Sequence, residues 1–173
     1  MQKAAKPTTW QPLHFQGDLK LDEETMMGNV LIIYGSTTGN TEDVATTIKE
    51  SLEGASHNVT LHNVTDTSVS ALEEGFDLYL LGSSTWGADE IEFQEDFDDF
   101  YQALMAGVDL KGKSFAFFGC GDSGFARFCG AVDALEAQVA KLGGTQVCPS
   151  LRVDGDPEED EVAAWAAGLV NAL

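Results

Sequence analysis

Three short stretches gather glycine with hydroxylated, aromatic and acidic side chains: "YGSTTGNT" (34–41), "LLGSSTWGAD" (80–89) and "FFGCGDSGFARFCG" (117–130). In the first, Ser36, Thr37, Thr38 and Thr41 offer hydroxyl donors around Asn40, and Gly35 and Gly39 let the backbone curl close to a ligand. If a helix starts there, its first N–H groups lack intrahelical acceptors and its dipole adds partial positive charge, so an anion such as phosphate is the natural occupant. The loop has no lysine, and Asn40-Thr41 after Gly39 departs from the Gly-Lys-Ser/Thr ending of a nucleoside triphosphatase. The second stretch carries Trp86. The third carries Asp122 and Phe125. Two aromatic rings on neighbouring loops can sandwich a flat heterocycle, and a carboxylate can accept a hydrogen bond from a ring N–H. A phosphate at one end and a flat heterocycle at the other describe a mononucleotide.

The flanking residues say what holds these loops. Val30 to Tyr34 is a continuous apolar run, as expected of a parallel strand buried on both faces, and Val44, Ile48 and Leu52 form the buried stripe of a helix. Strand-like and helix-like patterns then alternate: a weak strand at His57 to His62, a strong one in "FDLYLLGSS", and a helix from about Glu92 to Ala106 striped by Phe93, Phe97, Phe100 and Leu104. A fourth strand, "KSFAFFGCG", leads to a helix from about Ala131 to Leu142 that stops at Gly143-Gly144. A strand around Gln146 to Val153 and a helix with Val162, Trp165 and Leu169 close the pattern, giving five strands and about five helices. Such alternation predicts an α/β three-layer sandwich: a five-stranded parallel sheet with helices on both faces. Ligands of open α/β sheets bind outside the carboxyl ends of the strands, where the strand order reverses. The order 2-1-3-4-5 would bring the three loops together there.

Residues 1–28 differ: they hold two prolines and no long periodic segment, so they are expected to be a flexible arm or a short hairpin around "PLHFQGDLKL" outside a domain at 29–173. A chain of 173 residues suits one such domain. Nine basic against 29 acidic residues leave a net charge of −20, which disfavours nucleic acid and anionic membranes and favours basic partners. Salt adaptation or solubility would explain the same charge. Seven acidic residues crowd Asp89 to Asp99. Cys120, Cys129 and Cys148 form no CxxC pair, the histidines form no HExxH, and no apolar run is long enough to span a bilayer or serve as a signal peptide. No metal site is expected, and the setting reads as reducing and cytoplasmic.

Gly119, Gly121 and Gly124 match a GxGxxG fingerprint, but they follow the fourth strand rather than the first, and "FARFCG" intervenes before helical periodicity; a dinucleotide site is not expected. The loops "GSTTGNT", "STWG" and "GCGDS" followed by "FCGAVD" instead resemble, in order and across Asn29 to Leu173, the short-chain flavodoxins. The order 2-1-3-4-5 with FMN at the switch point is that family's own, so the resemblance supplies it. It implies FMN as cofactor, with phosphate held by Ser36, Thr37, Thr38, Asn40, Thr41 and Ser84 in the loop turned at Gly39. Trp86 would cover one face of the ring, Phe125 the other, and Asp122 would lie near its polar edge. Thr85, Gly87, Cys120, Gly121 and Cys129 would line the ring or its ribityl chain. The implied function is a non-enzymatic, low-potential one-electron carrier, a monomer that shuttles electrons between redox partner proteins through basic surfaces on those partners. A flavin-dependent quinone or NAD(P)H reductase is the alternative on the same fold; a phospho-accepting receiver domain lacks its acidic residues here. Phe125 stands where the family usually has tyrosine, and Ala88 where an acidic residue is common.

Overall fold

A computed structural model of the chain describes residues 27–86 and 90–173; the proposed arm up to Met26, and Gly87, Ala88 and Asp89, lie outside the described residues. The first apolar run forms β1 (Asn29–Gly35), and the chain turns through Gly39 into α1 (Asn40–Gly54). The bonding begins one residue before β1, where the Gly28 N–H donates to His57 Nδ1 at 3.1 Å. Next come β2 (Asn58–Asn63), two 3-10 turns (Val64–Asp66 and Val69–Glu73) and β3 (Leu78–Ser83). The crossover from β2 to β3 therefore has no α-helix. Its sequence, "VTDTSVSALEEG", is rich in Ser, Thr and Asp, which bond their own backbone instead of extending a helix; Asn63 Oδ1 accepts the Thr65 N–H at 3.1 Å.

A two-residue hairpin follows, β4 (Thr85–Trp86) against β5 (Glu92–Phe93), antiparallel with Thr85 opposite Phe93 and Trp86 opposite Glu92. Then come α2 (Glu95–Ala106), β6 (Ser114–Gly121), α3 (Gly130–Lys141), β7 (Thr145–Gln146), β8 (Leu151–Asp154) and α4 (Glu159–Leu169). The helix expected from Glu92 starts three residues later. Phe93 is buried in the hairpin rather than on the helix stripe, and Gln94 caps α2 by accepting the Phe97 N–H at 3.0 Å. Four α-helices stand among the described residues, one fewer than expected.

The sheet runs β2-β1-β3-β6, and its fifth position is shared by β7 beside the start of β6 and β8 beside its end, all pairs parallel. This is the 2-1-3-4-5 order, with the last strand interrupted at 147–150. Pro149 has no N–H to give a ladder, and its carbonyl instead accepts Trp165 Nε1 at 2.9 Å.

Each strand feeds two cores by its period of two. Leu31, Ile33, Tyr79, Leu81, Phe115 and Phe117 face α2 and α3, whereas Val30, Ile32, Leu78, Leu80, Ala116 and Phe118 face α1 and α4. Both faces are buried, which is why β1 reads as a continuous apolar run. Val44, Ile48 and Leu52 on α1, and Phe97, Phe100 and Leu104 on α2, are the buried stripes that hold the two helix layers down. The carboxyl ends of β1, β3 and β6 thus lie side by side, and the three glycine-rich loops leave the sheet together.

Candidate functional site

A cleft of about 370 Å³ opens at that end of the sheet, and all three loops line it. From the first loop come Thr38, Asn40 and Thr41; from the second, Ser84, Thr85 and Trp86; from the third, Cys120, Gly121, Asp122, Phe125 and Cys129. Eleven of the fifteen residues singled out in the sequence therefore share one cavity. Ser36, Thr37 and Gly39 shape the first loop without lining the cleft, and Gly87 lies outside the described residues. Two lining residues were missed, Arg127 and Gly155. Arg127 was readable as a lone cation inside "FARFCG". Gly155 reaches the cleft from the turn after β8, and its N–H donates to the Gly121 carbonyl at 2.9 Å, a contact that no local pattern signals.

The first loop is wound tightly. Gly39 takes φ +100° at the N-cap of α1, the left-handed region that a side chain disfavours, and its carbonyl accepts the Asp43 N–H at 2.8 Å. Ser36 Oγ accepts the Gly39 N–H at 3.1 Å, and Thr37 Oγ1 accepts from Gln94 Nε2 at 3.2 Å. Both hydroxyls act as acceptors inside the chain, so their own protons stay available. Asn40 Nδ2 donates to Asp156 Oδ1 at 3.3 Å and ties the loop to the turn after β8. Thr41 is the exception. It is 1% exposed, and apart from the weak Cys120 thiol beside it, its hydroxyl has no hydrogen-bond partner among the described residues. A buried hydroxyl left unpaired costs free energy, and native structures rarely keep one without a reason.

At the other end the loops bond to one another. Trp86 Nε1 donates to Ser84 Oγ at 3.0 Å, and Thr85 Oγ1 accepts the Ala131 N–H at 3.0 Å, at the start of α3. Asp122 Oδ1 accepts the Gly124 N–H at 2.7 Å, and the Asp154 carboxylate accepts both the N–H of Ser123 (2.9 Å) and its hydroxyl. Those two bonds hold the Asp154 carboxyl below the usual carboxylate range. Gly119 permits the close approach of β6 to β3: a Cβ there would lie 2.5 Å from the Ser83 carbonyl oxygen. On this frame Trp86 and Phe125 are 44% and 51% exposed, so two aromatic side chains flank the cleft with no aromatic partner among the described residues. Burial pushes the Cys129 thiol up to about 12 and raises Cys120 as well, so both stay protonated at neutral pH and neither is an activated nucleophile. No group of side chains able to hold a metal ion stands among the described residues, and none of their helices is long and apolar enough to cross a membrane.

A more open depression adjoins the cleft at Trp86, lined also by Thr37, Ile91, Phe93 and the carboxylates of Glu92, Glu95 and Asp98. Glu90 is exposed next to it in the chain, whereas Asp96 and Asp99 line a separate depression beside Val64 to Val69.

Comparison with known proteins agrees with this geometry. The family model described as Flavodoxin matches residues 32–166. A flavodoxin of Maridesulfovibrio salexigens is 49% identical over 147 residues, covering 85% of this chain and all of the relative. A flavodoxin of Nitratidesulfovibrio vulgaris is 50% identical over 149 residues, with the same coverage of both. Among solved structures, oxidised Flavodoxin 1 from Bacillus cereus superimposes with a TM-score of 0.76 at 31% identity, over 84% of this chain and 99% of that one.

Proposed function

The chain belongs to the flavodoxin family of FMN-binding electron carriers, which are not enzymes, and we propose that the cleft between its three loops is where FMN is held and where electrons pass to and from redox partner proteins. The observation that carries the assignment is the unpaired hydroxyl of Thr41 in a cleft whose far end is flanked by Trp86 and Phe125. A phosphate would complete the first and a flat ring the second.

The phosphate end is then made of Ser36, Thr37, Thr38, Asn40, Thr41 and Ser84, with Gly39 setting the turn. Ser36, Thr37 and Ser84 already accept hydrogen bonds, which orients their hydroxyl protons away from those donors and leaves them free for an anion. With no lysine in the loop, the start of α1 and these hydroxyls supply the attraction. Trp86 and Phe125 cover the ring, Asp122 stands at its polar edge, and Thr85, Gly87, Cys120, Gly121 and Cys129 complete the walls, where the neutral thiols contribute shape rather than chemistry. FMN supplies the one-electron redox chemistry when bound; the protein supplies binding, orientation and electrostatics.

The acids around Trp86 supply a docking surface for basic partners. The FMN-binding domain is residues 29–173, leaving 1–28 outside it, and it acts as a monomer. Three unpaired cysteines support a reducing, cytoplasmic setting. Titration of the flavin-free protein with FMN and with riboflavin tests the site: one FMN per chain should bind, more tightly than riboflavin. Equal affinities would remove the phosphate from the hydroxyl loop. Association with an electron donor should slow as salt rises, since exposed charges are screened over roughly 10 Å at 0.1 M ionic strength.

A further inference from the structure

Among the described residues Arg127 is the one basic side chain lining the cleft, and we propose that it tunes the second electron-transfer step, raising the second one-electron potential against the field of a strongly acidic chain. This rests on FMN occupying the cleft as assigned above.

Six lysines and arginines stand among the described residues, and five are placed away from the cleft. Lys49 pairs with Glu53 at 3.6 Å on α1, and Arg152 pairs with Asp133 and Glu136. Lys113 donates to the Glu74 carbonyl and the Tyr79 hydroxyl, Lys111 packs against Gly143, and Lys141 is in the last turn of α3. Arg127 is exposed, and no ion pair to it exists among the described residues.

Its backbone is fixed: the Arg127 carbonyl accepts the Gly130 N–H at 3.0 Å, just where α3 begins. Its position along the cleft is fixed too. A Cβ placed on Gly130 would lie 3.5 Å from the Arg127 Cβ and 3.0 Å from Ile91 Cγ1, so Arg127 stands where the third loop meets the Trp86 hairpin. That is the aromatic end, two residues from Phe125, and not the hydroxyl end at Thr41.

The consequence is electrostatic. An electron taken from a reduced donor protein, which is thereby oxidised by one electron, adds one negative charge to the cleft when no proton follows it. Asp122 and the acids beside Trp86 oppose that charge. The Arg127 guanidinium cation favours it. An electron that enters with a proton leaves the net charge unchanged, so Arg127 moves the step without a proton, which is the second where the first electron is the one that brings the ring its proton.

The test uses the full chain loaded with FMN, comparing wild type with Arg127→Gln and Arg127→Lys by spectroelectrochemical titration, and measuring FMN and riboflavin affinity of each. Arg127→Gln should lower the equilibrium constant of the second step three- to tenfold, roughly 30 to 60 mV at 59 mV per tenfold for one electron. The first step should change less, Arg127→Lys should restore most of the shift, and added salt should shrink it. FMN and riboflavin affinities should move together. An unchanged second potential in Arg127→Gln would overturn the proposal, as would a lysine variant as low as the glutamine one. So would a loss confined to FMN, which would make Arg127 a phosphate ligand. A wild-type chain that takes up no flavin in the initial titration would overturn the site assignment itself, before any potential is read.

Discussion

The two ends of the cleft are built on opposite principles. At the aromatic end the polar side chains are bonded within the protein: Trp86 to Ser84 and Asp122 to Gly124 inside their own loops, and Thr85 to the start of α3 and Ser123 to Asp154 across to other elements. At the hydroxyl end Thr41 is buried with only the weak Cys120 thiol beside its hydroxyl among the described residues, and Ser36 and Thr37 hold spare protons. The aromatic end is a preorganised frame that leaves two rings bare. The hydroxyl end is a set of donors waiting for an acceptor. A flat ring is gripped by shape, which rigid loops provide, whereas a phosphate is gripped by hydrogen bonds, which unpaired donors provide.

The largest effect should come from breaking what both ends share. Gly119→Ala would put a Cβ 2.5 Å from the Ser83 carbonyl oxygen and 2.6 Å from Val132 Cγ2, prising β3 from β6 beneath the whole cleft. A loss of about 3 kcal/mol, the upper end for overpacking, is expected in denaturant unfolding, together with weaker binding of both FMN and riboflavin. Wild-type stability in this variant would mean that the two strand ends are free to separate.

Thr41→Val separates the ends. It keeps the shape and removes the unpaired hydroxyl, so FMN should weaken by about 1.5 to 3 kcal/mol, the range for a hydrogen bond to a charged group, while riboflavin is unaffected. The flavin-free protein should be as stable as wild type or slightly more so, because a buried unpaired group has been removed. Destabilisation of the flavin-free form would show that the hydroxyl is satisfied without a ligand. Trp86→Ala is the complementary cut. It should weaken FMN and riboflavin equally, by about 0.5 to 1.5 kcal/mol for the aromatic contact, and a loss restricted to FMN would place Trp86 at the wrong end.

The same contrast explains what could be read from sequence. Hydroxyls, glycines and the periodic stripe of Val44, Ile48 and Leu52 are local signals, and they disclosed the first loop, its helix and the sheet order once the family resemblance was added. Phe93 misled because its spacing to Phe97 is helical, whereas cross-strand pairing with Thr85 decided its place. Gly155 and the Gln94 cap depend on partners more than thirty residues away or on a residue type uncommon at helix starts, so periodicity carries no trace of them. The roles of Ser36 and Thr37 as internal acceptors were equally hidden, since a hydroxyl's type does not say which way it bonds.

The smallest effect concerns the latch that stiffens the aromatic end. Asp154 titrates below its ordinary range because Ser123 donates to it twice, through its hydroxyl and its backbone N–H. A carboxyl whose folded-state pKa is depressed stabilises the fold fully above its unfolded value, about 3.9, and that contribution disappears as pH falls through the lower folded value. The latch should therefore be intact at neutral pH and released only in acid, below about pH 4. Ser123→Ala removes the hydroxyl and keeps the N–H, so the Asp154 carboxyl resonance should titrate higher than in wild type and still below an ordinary aspartate. Because the carboxylate is fully solvated, the stability difference between the two proteins should be small at pH 7 and should shrink further as the pH falls below the unfolded value toward the lower folded one. An Asp154 that titrates at its ordinary value in the wild type would mean that the third loop is not latched to β8, and that the rigidity assigned to the aromatic end comes from Thr85 and Trp86 alone.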